Sequence, residues 1–202
     1  MEKFLVTIDG PSGVGKTSVG KSIATMLNSC FFSSGSIYRS VAKFLLNNKN
    51  VQIEDLKIEI VSEQCNVNGV IFDEEDLYDN EVSVKSSEIA KKVGLRILFK
   101  DCLISYFENL DKPLVIEGRD MGSVVFPDAE HKVYLDADLE TRGKRREGQS
   151  NMEETVSDVK KRDFEDKNRL FSPLTIPEGA LVIDNSNLSI DETIDLIIKN
   201  LK

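Results

Sequence analysis

The sequence predicts an α/β fold, a parallel sheet flanked by helices on both faces and organised around one phosphate-binding loop. Phe4 to Ile8 (FLVTI) is a short, apolar, β-branched run that ends directly on a glycine-rich turn, as a buried parallel strand does. Gly10-Pro11-Ser12-Gly13-Val14-Gly15-Lys16-Thr17 then satisfies G-x-x-x-x-G-K-[ST], with a helical pattern following at once. Three further strand candidates, Leu114 to Ile116, Val133 to Leu135 and Leu181 to Ile183, alternate with helix-forming stretches.

The other elements follow in order. Thr17 to Asn28 places Val19, Ile23, Ala24 and Leu27 on one helical face, and Ile37 to Leu46 reads as a second helix. Asn66 to Phe72 sets an Asn68-Gly69 pair between β-formers, a hairpin signal. Ser86 to Asn109 is largely helical in pattern. Leu139 to Leu170 is polar, charged and helix-forming, with a break near Gly148 to Asn151. Ile190 to Leu201 closes the chain as an amphipathic helix. The stretches 36–110 and 143–169 read as excursions from one core, not as independent domains.

Charge narrows the function. The 202 residues carry 26 Lys and Arg against 35 Asp and Glu, a net charge of -9. That balance argues against a nucleic-acid polymer or a membrane surface as partner, since both need a cationic face. The excess is local: residues 50–90 hold eleven acids and two bases, and the remaining chain is balanced. An anion site is therefore expected outside 50–90. Cys30, Cys65 and Cys102 are odd in number and lack metal-ligand spacing, so free core thiols in a reducing, cytoplasmic setting are expected. His131 is the only histidine, which excludes multi-histidine metal sites and weakens any histidine-based nucleophile scheme. No membrane-length apolar run and no secretory leader pattern is visible.

The loop dictates its own chemistry. Its glycines let successive backbone N–H groups turn inward on phosphate oxygens, at the positive end of the following helix. Gly10, Pro11, Ser12, Gly13, Val14, Gly15, Lys16, Thr17 and Ser18 are thus the candidate nucleoside triphosphate site. Lys16 supplies a point charge at the β- and γ-phosphates, and the Thr17 hydroxyl is a candidate Mg2+ ligand. The guanine-reading N-K-x-D motif of a GTPase is absent. A small kinase acting on a small molecule is the economical reading.

Three more clusters bear on the acceptor: Ser34-Gly35-Ser36-Ile37-Tyr38-Arg39 at a helix start, Glu117-Gly118-Arg119-Asp120-Met121-Gly122 after a strand, and Lys161 to Arg169 on a charged helix end. The runs GPSGVGKTS, SSGSIYR, EGRDMGSVVFPDA and KKRDFEDKNR resemble bacterial cytidylate kinase in order and spacing over nearly the whole chain. The resemblance implies a single nucleoside monophosphate kinase domain, a P-loop NTPase core with a monophosphate-binding insert (36–110) and a lid (143–169). It implies transfer of the ATP γ-phosphoryl group to CMP or dCMP, with ATP and Mg2+ required. Arg39, Arg119 and Arg169 would grip the acceptor phosphate. Asp120, Ser87 and Arg96 would read cytosine, Ser34 would lie beside the nucleotide, and Arg162 and Asp166 would pair near the ribose. Arg96 is placed by its offset from Ser87, with Lys100 as the alternative.

The sequence departs from the family in having Ser33 where Asp is usual, and in Phe164, Glu165 and Lys167 within the lid motif. A phosphate nucleophile is already anionic, so positioning and cationic stabilisation by Lys16, Arg119, Arg162 and Arg169 are expected to suffice. Arg142, Arg145 and Arg146 are further lid candidates, or else a solvated helix face. Gly143 and Gly148 are candidate hinges. Two alternatives stay open: another small-molecule kinase, of the UMP, shikimate or dephospho-coenzyme A type, and a non-catalytic ATP sensor. Nothing in the sequence demands more than a monomer.

Overall fold

A five-stranded sheet with the order β2-β6-β1-β7-β8 forms the centre of one of the two units into which the chain divides. The computed structural model describes residues 3–147 and 156–201. Its strands are β1 (Leu5–Asp9), β2 (Cys30–Ser33), β6 (Leu114–Gly118), β7 (His131–Asp136) and β8 (Leu181–Asp184). The central strand β1 pairs in parallel with β6 (Ile8 opposite Glu117) and with β7 (Ile8 opposite Val133). Every residue of β1 and β6 is buried, which explains why both read as continuous apolar runs and not as alternating ones. The helices of this unit are α1 (Lys16–Met26), α5 (Leu139–Glu147), α6 (Val156–Lys167) and α7 (Ile190–Asn200).

One apolar cluster locks α1 and α7 to the sheet: Val6, Ile8, Val115, Val133 and Leu135 meet Val19, Ile23, Ile194 and Ile197. Full burial of a side chain such as Ile23 or Ile197 stabilises the fold by roughly 1.5–3 kcal/mol. A capping box starts α7, with Ser189 Oγ accepting from the Glu192 N–H and Glu192 returning a bond to the Ser189 N–H. Parallel strands held this way present their carboxyl ends together, and Asp9, Gly118 and Asp136 end there.

The second unit, Ser33–Leu110, contains α2 (Ser34–Asn47), β3 (Ile58–Val61), β4 (Gln64–Val67), β5 (Val70–Ile71), α3 (Asn80–Ile89) and α4 (Val93–Glu108). The predicted hairpin is present, with Asn68 and Gly69 both at positive φ between β4 and β5. The strand β3 was not predicted, although Ile58-Glu59-Ile60-Val61 alternates in burial as half-buried, exposed, half-buried, exposed.

The single helical stretch expected over Ser86 to Asn109 is two helices, α3 and α4, separated at Ala90–Lys92. Ile89 and Leu95 are both wholly buried, and they would fall on different sides of one continuous helix. Asp79 also moves the start of α3 forward, because its carboxylate caps the Val82 N–H at 2.7 Å. The break expected near Gly148 to Asn151, and the Gly148 hinge, lie outside the described residues. No helix of the described chain is long and apolar enough to cross a membrane.

Candidate active site at the carboxyl end of the parallel sheet

The loop from Gly10 to Gly15 joins β1 to α1. Gly15 is the N-terminal cap residue of α1 in the left-handed region (φ 86°), which leaves the first-turn N–H groups of α1 open toward the loop. Gly13 (φ +81°) also needs its missing side chain, since a Cβ there would come within 2.7 Å of the Arg142 carbonyl oxygen. Lys16 is buried and folds back, its Nζ donating to the Pro11 carbonyl at 2.7 Å. Burial pushes the Lys16 ammonium down to about 7; the Arg119 charge adds to this, while Glu117, Asp9 and Asp166 oppose it. Thr17 Oγ1 donates to Glu117 Oε1 at 3.2 Å, which joins the end of the loop to the end of β6.

The turn after β6 is shaped by a buried carboxylate. Asp9, wholly buried, accepts the N–H groups of Met121 (2.8 Å) and Gly122 (2.7 Å) through its two oxygens. Burial drives the Asp9 pKa up to about 7 against the pull of those two bonds. The consequence is a π-helical turn over Met121–Val125, headed by the buried Asp120. Arg119 precedes it, half-buried, with Nε on Asp166 Oδ2 at 2.8 Å. Arg169 Nη2 approaches the other oxygen of Asp166 at 3.3 Å. Five of the predicted residues, Lys16, Thr17, Arg119, Asp166 and Arg169, are thus linked at one end of the sheet. Arg162 lies on α6, one turn before Asp166.

Arg142 departs from both readings its sequence allowed, a lid residue and a solvated helix face. Its side chain is buried and held by the carbonyls of Ala137 (Nε, 2.9 Å) and Ser12 (Nη1, 3.1 Å) and by Asp163 Oδ2 (Nη1, 2.6 Å). A guanidinium engaged on three protein groups is a brace and not a mobile phosphate ligand. Arg145 likewise binds Asn185 twice, at Oδ1 and at the backbone carbonyl, each at 2.9 Å. Gly143 is packed and not open: a Cβ there would meet Val156 Cγ2 at 2.5 Å.

In the second unit, Ser34 is buried at the start of α2 and Arg39 lies one turn further, its guanidinium 4.7 Å over the Tyr78 ring. Arg96, buried on α4, donates to Tyr38 Oη at 2.6 Å and lies 5.6 Å over the same ring. Ser87 Oγ donates to the Ser83 carbonyl at 3.1 Å. Cation and aromatic face are paired for both arginines, which fixes two flexible side chains at little further entropic loss.

Residues 6–202 match the family described as cytidylate kinase. The chain belongs to the cytidylate kinase family. It is 33% identical to the cytidylate kinase of Clostridium botulinum (strain Okra), over 98% of this chain and 97% of that one. It is 37% identical to the cytidylate kinase of Thermodesulfovibrio yellowstonii, over 98% of each. Among solved structures, a gluconokinase from Sinorhizobium meliloti superposes with a TM-score of 0.57 at 13% identity, over 99% of this chain and 93% of that one. That likeness shows the fold: a parallel sheet flanked by helices around a P-loop.

Asp9 and Asn185 were not singled out in the sequence, and Glu117 and Asp163 were named only within their clusters, with no role of their own. Asp9 carried a signal, because it is an acid terminating a largely apolar strand. Asn185 carried none, since its partner Val14 is far along the chain, and Asp163 gave no sign that it would pair with Arg142. Among the described residues no set of three or more His, Cys, Asp and Glu could cage a metal. The Thr17 hydroxyl with the Glu117 carboxylate is an oxygen donor set that fits Mg2+ arriving with a nucleotide.

Proposed function

We propose that the protein transfers the γ-phosphoryl group of ATP to CMP or dCMP, giving ADP with CDP or dCDP. The observation that carries this reading is the phosphate loop after β1 beside Arg119–Asp120 after the adjacent β6, in a chain matching cytidylate kinase from end to end. Donor and acceptor groups then lie at neighbouring strand ends of one unit, where an open α/β sheet binds ligands.

We assign the donor triphosphate to Gly10 through Ser18, with Lys16 on its β- and γ-oxygens. Thr17, backed by Glu117, would hold Mg2+, whose charge offsets that of the phosphates. Arg119 and Arg169 are assigned to the acceptor phosphate, bridged by the shared Asp166, which with Arg162 is also assigned to the ribose. Asp120 is assigned to cytosine, because a carboxylate accepts from the 4-amino group and would face an acceptor in uracil. In the second unit, Arg39 is assigned to the acceptor phosphate, Ser87 and Arg96 to the base, and Ser34 to the nucleotide. The aromatic seats under Arg39 and Arg96 support these roles by pre-orienting both charges.

No general base is needed, since the attacking phosphate oxygen is already anionic. His131 opens β7 at the amino end of the parallel strands, away from the loop that follows β1, edge-on to Phe4 with ring centroids 5.9 Å apart. The residues therefore align two polyanions and neutralise the charge that develops between them. Three cysteines outside any disulfide suit a reducing compartment, in keeping with a cytoplasmic location.

An acceptor panel tests the reading: ADP release measured with CMP, dCMP, UMP, AMP and shikimate at saturating ATP. Turnover should be highest with CMP or dCMP. Equal or greater turnover with UMP or shikimate would remove the cytidylate assignment, and no ADP with any acceptor would leave an ATP-binding sensor.

A further inference from the structure

A phosphate-binding loop works only if its N–H groups face the anion, so its carbonyls must face the other way and find donors there. Three of these carbonyls have side-chain donors. Pro11 O is bound by the loop's own Lys16. Ser12 O is bound by Arg142 of α5 (3.1 Å), and Val14 O by Asn185 Nδ2, from the turn after β8 (2.9 Å). Asn185 is buried, and its amide has one orientation available. Arg145 Nη1 donates to Oδ1, so Nδ2 must be the atom turned to Val14.

Peptide planarity makes these two anchors directional. In a trans peptide the C=O of one residue opposes the N–H of the next. Holding Ser12 O outward therefore turns the Gly13 N–H inward, and holding Val14 O outward does the same for Gly15. Both glycines are at positive φ, the conformation such an inward-facing run of N–H groups uses. Arg142 is in turn fixed by the buried Asp163 of α6, and its backbone packs against Gly13.

We propose that Arg142 and Asn185 are positioning residues for ATP, which hold the Ser12 and Val14 carbonyls outward so that the Gly13 and Gly15 N–H groups face the triphosphate. The Arg142–Asp163 pair joins that loop shape to α6, the helix that carries Asp166. The inference rests on the proposed kinase reading only in naming ATP as the ligand.

The experiment separates this role from a merely structural one. Asn185→Asp keeps the size of the side chain and its acceptors for Arg145 but cannot donate to Val14 O. Arg142→Met with Asp163→Leu removes both charges together, so no buried charge is left uncompensated. Binding of a Mg2+-loaded, non-hydrolysable ATP analogue is measured by calorimetry, with melting followed by circular dichroism and KM obtained separately for ATP and CMP. Both variants should melt cooperatively, bind the analogue about tenfold more weakly or worse and raise the KM for ATP, and Asn185→Asp should leave the KM for CMP within about twofold. Arg142→Lys, which can reach one partner but not all, should give intermediate affinity.

Wild-type analogue affinity in folded Asn185→Asp, or in the folded double variant, would overturn the proposal. Should the double variant not fold, Asn185→Asp decides alone. The calorimetry needs no acceptor, so a wild-type protein that bound the analogue without making CDP would sink the kinase reading and leave the anchors to be judged by binding.

Discussion

Arg119 donates from Nε to Oδ2 of Asp166 at 2.8 Å, joining the turn after β6 to α6 across 47 residues of sequence. Burial works to raise the Asp166 pKa, but the charges of Arg119 and Arg169 outweigh it and hold the carboxyl below its ordinary value. Burial also works to lower the Arg119 pKa, and Asp166, with Glu117 and Asp163, more than offsets it. Each partner therefore secures the other's charge in a poorly solvated place, and the guanidinium is oriented before any substrate arrives.

Asp166→Asn should release that orientation while preserving the size of the side chain. The expected result is a fall in kcat/KM for CMP of roughly ten- to a hundredfold, the scale of one lost charge-assisted bond. The KM for ATP should change much less. Steady-state kinetics with each substrate varied in turn checks this, and unaltered kcat/KM for CMP would remove Asp166 from the site.

Lys16 should take up a proton when ATP binds. With its pKa pushed down to about 7 in the free protein, the amine is mostly neutral at about pH 8, and a polyanionic triphosphate restores its charged form. Calorimetric titration of Mg2+-loaded ATP in buffers of differing ionisation enthalpy should show uptake approaching about one proton at that pH. The uptake should fade near pH 6 and be absent in Lys16→Met. An enthalpy that does not depend on the buffer would contradict the depressed pKa.

Asp9 makes an unusual contribution to stability against pH. Its carboxyl titrates at about 7 when folded and near the ordinary 3.8 when unfolded, so between those values the folded state holds the extra proton. Stability from this group therefore falls as pH rises through that window and levels off above it. Urea unfolding across the window should show the stability of the wild type relative to Asp9→Asn falling by a few kcal/mol toward neutral pH. A difference that stays constant with pH would show that Asp9 is ionised throughout.

Asp120→Asn exchanges a pure acceptor for a group that also donates. The ratio of kcat/KM for CMP to that for UMP should fall by about tenfold or more, because uracil then meets a donor where it offers an acceptor. An unchanged ratio, with the fold intact, would take Asp120 out of base reading.

The parts of this protein that were legible in the sequence are those whose cause is local. The strand–loop–helix at Phe4 to Asn28 declares itself through hydrophobic period, glycine spacing and one lysine, and all of these act within a few residues. The Asn68-Gly69 hairpin is legible for the same reason. The strand β2 (Cys30–Ser33) was not, because CFFS is ambiguous until it sits at the edge of a sheet beside β6. The π-helical turn at Met121–Val125 was not either, since it depends on a carboxylate more than a hundred residues away.

The sequence by itself determined the α/β class and the phosphate loop, and it singled out the charged residues proposed for the two nucleotides. Its order of motifs also determined the family. Only the tertiary structure decided how those charges are shared: that Asp166 sits between Arg119 and Arg169, that Asp9 shapes the turn presenting Asp120, and that Arg142 braces the loop as neither a lid ligand nor part of a solvated helix face. The reason is physical. A residue's type sets which bonds it can make, but burial and distance decide which it does make, and both are properties of the folded chain.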